Sequence, residues 1–212
     1  MGNSNACYLL AKYYYKYLDL LNKRENKTDE LAISEARKFG KRVCAELKDA
    51  GKCVRLAEFE TDIKENDDER VKNMLFYLKT GCDELGDVKV CQTLAEHYDE
   101  GVVNRRKPYH LDEKFINQKQ ALHYYDKACA LGVGCMRLAQ IYLWGEYVSD
   151  KEVRRNLAKA KHYFTKDCDS GVDDYECGID GDDNVCSASN PSCFIKRLSP
   201  KELENLDESI FN

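Results

Sequence analysis

Residues 121–145 read ALHYYDKACALGVGCMRLAQIYLWG, and this stretch decides the fold. Ala121 and Tyr124 stand eight and five residues before Cys129. A small residue one turn from an aromatic makes a hole and a knob for a neighbouring helix. Gly132 then marks a turn. Cys135, Leu138, Ala139 and Tyr142 follow at positions 0, +3, +4 and +7 of a second helix, all on one face. Gly145 stands where that helix is expected to end. The stretch predicts two amphipathic helices joined by a tight turn, one ending and the next beginning at a cysteine.

The same pattern returns along the chain. First helices carry Cys7, Leu10 and Ala11, then Cys53, Leu56 and Ala57, then Cys91, Leu94 and Ala95. A large residue follows each (Tyr13 or Tyr14, Phe59, Tyr98). Second helices carry Ala36 and Phe39 before Cys44, Met74 and Tyr77 before Cys82, and Ala160 and Tyr163 before Cys168. Gly51, Gly86 and Gly171 are expected to close or follow the other turns. Gly101 ends the third first helix, whereas Tyr17 and Ile63 hold that place in the first two. With no strand-like alternation, the expected class is all-α, an αα-hairpin repeat solenoid over residues 5–171. Its repeats are about 5–51, 52–86, 88–132 and 133–171. Polar insertions fall at 21–30, 61–68, 104–117 and 146–155. Residues 172–198 form an irregular acidic segment. There Asp180, Asp182 and Asn184 have calcium-loop spacing, but Val185 replaces the required Gly, so a solvated loop is expected. Residues 199–212 begin with a capping box (Ser199, Pro200 and Glu202) and are expected to cap the array.

Eleven of the 212 residues are cysteine. Cys44/Cys53, Cys82/Cys91 and Cys168/Cys177 are nine apart, Cys129/Cys135 six and Cys186/Cys193 seven. No C-x-x-C occurs and the four histidines lack finger spacing, so neither a zinc site nor a thioredoxin-type motif is expected, and no cofactor is implied. The expected state is a ladder of those five local disulfides in an oxidising compartment. The competing possibility is that the cysteines are simply small buried residues. Cys7 is left over, and its partner is expected on a helix upstream of Met1, together with a leader. Alternatively Met1-Gly2 is a cytosolic start resembling a myristoylation site, although Ala6 stands where Ser or Thr is required.

A net charge of −5 gives no electrostatic reason to expect a nucleic-acid partner. A content of 43% hydrophobic and 33% charged residues argues against a disordered tail. No apolar run approaches the roughly 18–20 residues of a membrane span.

The run Ala121-x-x-Tyr124-Tyr125-x-Lys127-Ala128-Cys129-x-Leu131-Gly132, continued by Cys135-x-x-Leu138-Ala139-x-x-Tyr142-x-x-Gly145, resembles the Sel-one-like repeat family, a relative of the tetratricopeptide repeat. Ala160-x-x-Tyr163-Phe164-x-Lys166-x-Cys168 repeats it. More narrowly, the pattern is similar to the cysteine-rich secreted branch typified by the Helicobacter cysteine-rich proteins. It covers residues 5–177 and is strongest in the third and fourth repeats. That family usually spaces its bridged cysteines eight apart, so the nine and six found here imply different turns.

The resemblance implies a curved, monomeric solenoid, secreted or periplasmic, that binds a protein, a peptide or a cell-wall component. It also carries two alternatives: a penicillin-binding or β-lactamase-like hydrolase, and a redox-linked assembly factor of an oxidising organelle space. Against the hydrolase, the chain has no Ser-x-x-Lys and no Ser-Asp-Asn; its single Lys79-Thr80-Gly81 is read as the end of a helix. In such solenoids the first helices line the concave face. Positions +2, +5 and +9 from each first-helix cysteine then make Lys12, Arg55, Glu58, Thr93, Glu96, Arg137, Gln140 and Trp144 the candidate partner-binding residues, among neighbours Leu9, Lys16, Asp62 and Glu100. An ordinary solvated helix face fits the same residues. His123 and His162 hold equivalent repeat positions, which points to shared packing rather than a catalytic pair.

Overall fold

The computed structural model describes residues 3–25, 29–61, 67–103, 111–112, 115–145, 147–148, 151–152 and 156–169. Among them run α1 (Ser4–Glu25), α2 (Glu30–Lys41), α3 (Ala50–Glu60), α4 (Asp67–Lys79), α5 (Val88–Asp99), α6 (Gln118–Ala130), α7 (Cys135–Trp144) and α8 (Leu157–Asp169). The chain divides into residues 1–116 and 117–212, each described by itself below.

In the first unit α1 packs on α2 and α3 packs on α4, while α5 lies against α3 and α4. The cysteine-anchored stripe is the buried one: Cys53, Leu56, Ala57 and Glu60 on α3, and Cys91, Leu94, Ala95 and Tyr98 on α5. The small-or-flexible positions Ala36 and Met74 are buried on α2 and α4, as is Tyr77. In the second unit α6 and α8 both pack on α7. Ala139, Leu143, Ala160 and Phe164 form its core, with Met136, Tyr142, Leu157 and Tyr163 around them.

Side-chain caps define the helix starts. Asp29, Asp49, Asp87 and Asn117 each accept a hydrogen bond from a backbone N–H three residues on, and Asn156 does so for α8. Gly134, with no side chain to offer, precedes α7; there the Met136 N–H donates instead to Asp167 of α8 at 3.1 Å.

The turns explain the cysteine spacing. After α2 and α4 the chain makes one π-helical turn each, Arg42–Glu46 and Thr80–Glu84. The Leu47 N–H there donates to Arg42 O and the Leu85 N–H to Thr80 O. Both turns end at a leucine three residues after the cysteine, whereas α6 ends at Leu131, two residues after Cys129. The π turn takes up that extra residue. Next comes a left-handed residue, Lys48 (φ 53°), Gly86 (φ 66°) or Gly132 (φ 100°). Lys48, not Gly51, therefore turns the first corner; Gly51 lies within the first turn of α3.

Three disulfides join these corners: Cys44–Cys53, Cys82–Cys91 and Cys129–Cys135, with Cα separations of 5.5, 4.7 and 4.6 Å. The expected pairs Cys168–Cys177 and Cys186–Cys193, Gly171, the acidic segment and the capping helix lie outside the residues whose structure or side chains are described.

Two expectations are corrected. The first helix runs to Glu25, into the polar stretch expected as an insertion. Two insertions also carry short antiparallel ladders: β1 (Val102–Val103) with β2 (Leu111–Asp112), and β3 (Tyr147–Val148) with β4 (Lys151–Glu152). Each begins just past a left-handed glycine that ends the helix before it, Gly101 or Gly145.

Candidate functional site

A cleft of about 260 Å³ opens between α3 and α5, lined by Val54, Ala57, Glu58 and Thr61 of α3, Leu78 of α4, and Thr93 and His97 of α5. Its existence follows from the helix register. Burying Cys53, Leu56 and Ala57 turns the Val54, Glu58 and Thr61 edge of α3 away from the core, and burying Cys91, Leu94 and Ala95 turns Thr93 and His97 of α5 the same way. Val54, Ala57 and Leu78 give it an apolar lining, while one carboxylate, two hydroxyls and one imidazole supply the polar groups.

Those groups are held in place. Glu58 Oε2 accepts from Arg55 Nη1 at 3.3 Å, and the Thr61 hydroxyl donates to Glu58 O at 2.6 Å. Burial pushes the His97 imidazole below its ordinary value, opposed by a backbone hydrogen bond with Gly101, so His97 is neutral at pH 7. On the same helix Glu96, half-buried, has its carboxyl pushed upward by burial and by the Glu100 charge, although Gln92 Nε2 donates to it at 3.0 Å.

Of the eight candidate residues, the structure brings Glu58 and Thr93 into the cleft. Arg55 is exposed at its edge through Glu58, Glu96 is partly buried on α5, and Lys12 is partly buried on α1. Arg137, Gln140 and Trp144 are partly or largely exposed on α7, in the other unit. Val54, Ala57, Thr61, Leu78 and His97 were absent from the sequence expectation. Positions +1, +6 and +8 fall at the seam between the buried stripe and the opposite face, and only their neighbour across the groove shows which way they serve.

Lys79-Thr80-Gly81 is packed into the corner between α4 and α5. Thr80 and Gly81 are buried, and a Cβ on Gly81 would lie 2.8 Å from Val90 Cγ1. The Lys79 ammonium stands 5.8 Å from the centroid of the Tyr98 ring. His123 and His162 are exposed, and each sets its edge against the tyrosine that follows it, with centroids 5.0 and 5.3 Å apart.

Among the described residues no group of three or more His, Cys, Asp or Glu could hold a metal ion, and no helix is long and apolar enough to cross a membrane. The sequence matches no known family model and no curated protein.

Proposed function

We propose that this chain is a Sel-one-like repeat protein exported to an oxidising compartment, a disulfide-stapled αα-hairpin solenoid that binds an extended polypeptide along its first helices. Three disulfides between sequence neighbours support the compartment. The recurring cysteine-cornered helix pairs support the repeat architecture.

The cleft between α3 and α5 carries the functional reading. At about 260 Å³ it is smaller than the roughly 300–1,000 Å³ usual for small-molecule sites, and suits one inserted side chain. Its Val54, Ala57 and Leu78 lining selects an aliphatic one. Glu58 beside it, with Glu96 and Glu100 on the flank of α5, favours a basic residue next to that anchor. His97, being neutral, serves as a hydrogen-bonding group and not as a cation. Arg137, Gln140 and Trp144 hold the equivalent positions on α7 of the second unit.

Selection from a displayed random-peptide library tests this. Recovered peptides are expected to share an aliphatic anchor beside Lys or Arg. Thr93→Trp, which fills the cleft from α5, is expected to weaken them at least about tenfold, or about 1.4 kcal/mol. Peptides without a common anchor, or equal binding by a folded Thr93→Trp variant, would overturn the reading.

A further inference from the structure

The helix α1 is open on a side that is closed on every other first helix. Counting from the first-helix cysteine, the third residue is Leu10, Leu56, Leu94 or Leu138. The last three are 0%, 0% and 1% exposed, whereas Leu10 is 43% exposed. At the sixth position Phe59 of α3 stacks on Tyr8 and Tyr15 of the preceding first helix, with centroids 6.5 and 5.3 Å away. Its equivalent, Tyr13, is 65% exposed. Tyr17 and Leu20 continue the stripe at 40% and 55%. Residues 10, 13, 17 and 20 share one helical face, so this is a contiguous apolar patch and not a scatter of single exposed residues.

What covers the equivalent face elsewhere identifies the occupant. The π turn that ends α2 lies against α3, and the one that ends α4 lies against α5. Each brings a cysteine that is bonded to the first-helix cysteine, as Cys44–Cys53 and Cys82–Cys91. Cys7 holds that same position on α1 and is not in a disulfide. Within a second copy of the chain, α2, α4 and α6 already have their cysteines engaged, so none of these helices is free to serve.

We propose that the Leu10/Tyr13/Tyr17/Leu20 face of α1 docks an amphipathic helix of another polypeptide, with a cysteine in its last turn, in the place that the end of α2 takes on α3. Lys16 and Lys12 border the stripe and favour carboxylates on that helix.

A peptide spanning residues 29–48 of this chain, which carries Cys44 in its natural setting, is the probe, prepared as a mixed disulfide with glutathione. The Cys7 thiolate attacks the peptide sulfur, a Cys7–peptide disulfide forms, and glutathione leaves as its thiol, so the number of disulfides is unchanged. Exchange mapped to Cys7 by mass spectrometry is expected to run at least tenfold faster than with a peptide shuffled around the fixed cysteine. Leu10→Glu and Tyr13→Glu, checked for native circular dichroism, are expected to lower it to the shuffled rate. Equal rates for the two peptides, or no effect of either substitution, would overturn the proposal. So would a monomer–dimer equilibrium abolished by Tyr13→Glu, which would assign the face to a second copy.

Discussion

Arg37 of α2 and Glu60 of α3 form a buried two-pronged ion pair, with Nη2 2.8 Å from Oε2 and Nε 3.1 Å from Oε1. The Tyr15 hydroxyl of α1 donates to the same carboxylate at 2.6 Å. Burial, with the Glu60 charge beside it, raises the Tyr15 hydroxyl far above its ordinary value, so it stays a donor. Three helices thus meet at a carboxylate with no exposure to solvent. Removing one partner of such a pair strands the other, whereas replacing both by apolar groups removes the desolvation cost as well. Arg37→Met and Glu60→Leu are each expected to lose about 3–5 kcal/mol of stability, and the double substitution distinctly less than their sum. Urea unfolding of the four species forms the cycle; additive losses would show that the pair is not coupled.

Gly40 lets α2 approach α4 closely. A Cβ there would meet the Tyr77 hydroxyl oxygen at 2.5 Å, with Cζ next at 3.1 Å. Gly40→Ala is expected to cost about 1–3 kcal/mol despite alanine's better helix propensity. Tyr77→Phe removes the nearest atom, and that hydroxyl makes only a long 3.5 Å hydrogen bond, to Arg37 O. Adding Tyr77→Phe should therefore recover part of the loss in thermal unfolding. If it recovers none, the approach of the helix backbones themselves sets the limit.

Lys48 is the only non-glycine residue with positive φ among the described residues, at the corner position that Gly86 and Gly132 hold elsewhere. A Cβ in that conformation costs roughly 1–2 kcal/mol. Glycine removes the strain but adds freedom to the unfolded chain. Lys48→Gly is expected to raise stability by about 0.5–1 kcal/mol, read as a higher urea midpoint at constant slope. An unchanged or lower midpoint would show that the Lys48 side chain contributes more than its backbone loses.

The sequence reveals what periodicity controls. Cys53, Leu56 and Ala57 announce a buried stripe because 0, +3 and +4 share a face, and they are buried. It hides what depends on a single inserted residue or on a neighbour far along the chain. Nothing local says whether a nine-residue cysteine spacing lengthens the loop or widens the helix; the π turns at Arg42–Glu46 and Thr80–Glu84 settle that through their own hydrogen bonds. Glu60 was a readable anomaly, a carboxylate at +7 where Tyr98 and Tyr142 stand, yet Arg37 and Tyr15 lie 23 and 45 residues away. His97 and Leu78 enter the cleft only because α3, α4 and α5 converge there.

Each corner disulfide closes a short loop, and in the chain-entropy view a loop of ten residues contributes about 2.7 kcal/mol. Replacing Cys82 and Cys91 together by alanine is expected to cost about that much. Both cysteines are fully buried, and alanine leaves a void beside Gly81 and Val90 that adds to the loss. Replacing Cys7, which is outside any disulfide, should cost less. Thermal unfolding of the two variants gives the ranking, and the reverse order would remove the disulfides from the main supports of the corners.

Proton linkage separates three groups by pH window. His97 is held below its ordinary 6.5 by burial, so below pH 6.5 the unfolded chain binds a proton that the folded chain resists. Stability therefore falls as pH drops from 6.5 toward the folded value, by at most about 1.4 kcal/mol per unit, and levels off beneath it. Asp49 acts in the same direction but lower. Burial raises its carboxyl, and hydrogen bonds from Lys52 and Ser4 with the Lys52 charge outweigh that, leaving it below 3.8. Its contribution is present above 3.8 and fades only in stronger acid. Glu96 is raised above 4.5, so it opposes stability as pH climbs through that range. Urea unfolding between pH 7.5 and 5.5 should show a decline that His97→Gln removes and Asp49→Asn leaves intact. Binding of a cleft peptide should weaken over the same interval, because protonated His97 brings a cation beside the basic flank of the ligand; binding that strengthens instead would reverse the charge assigned to that flank.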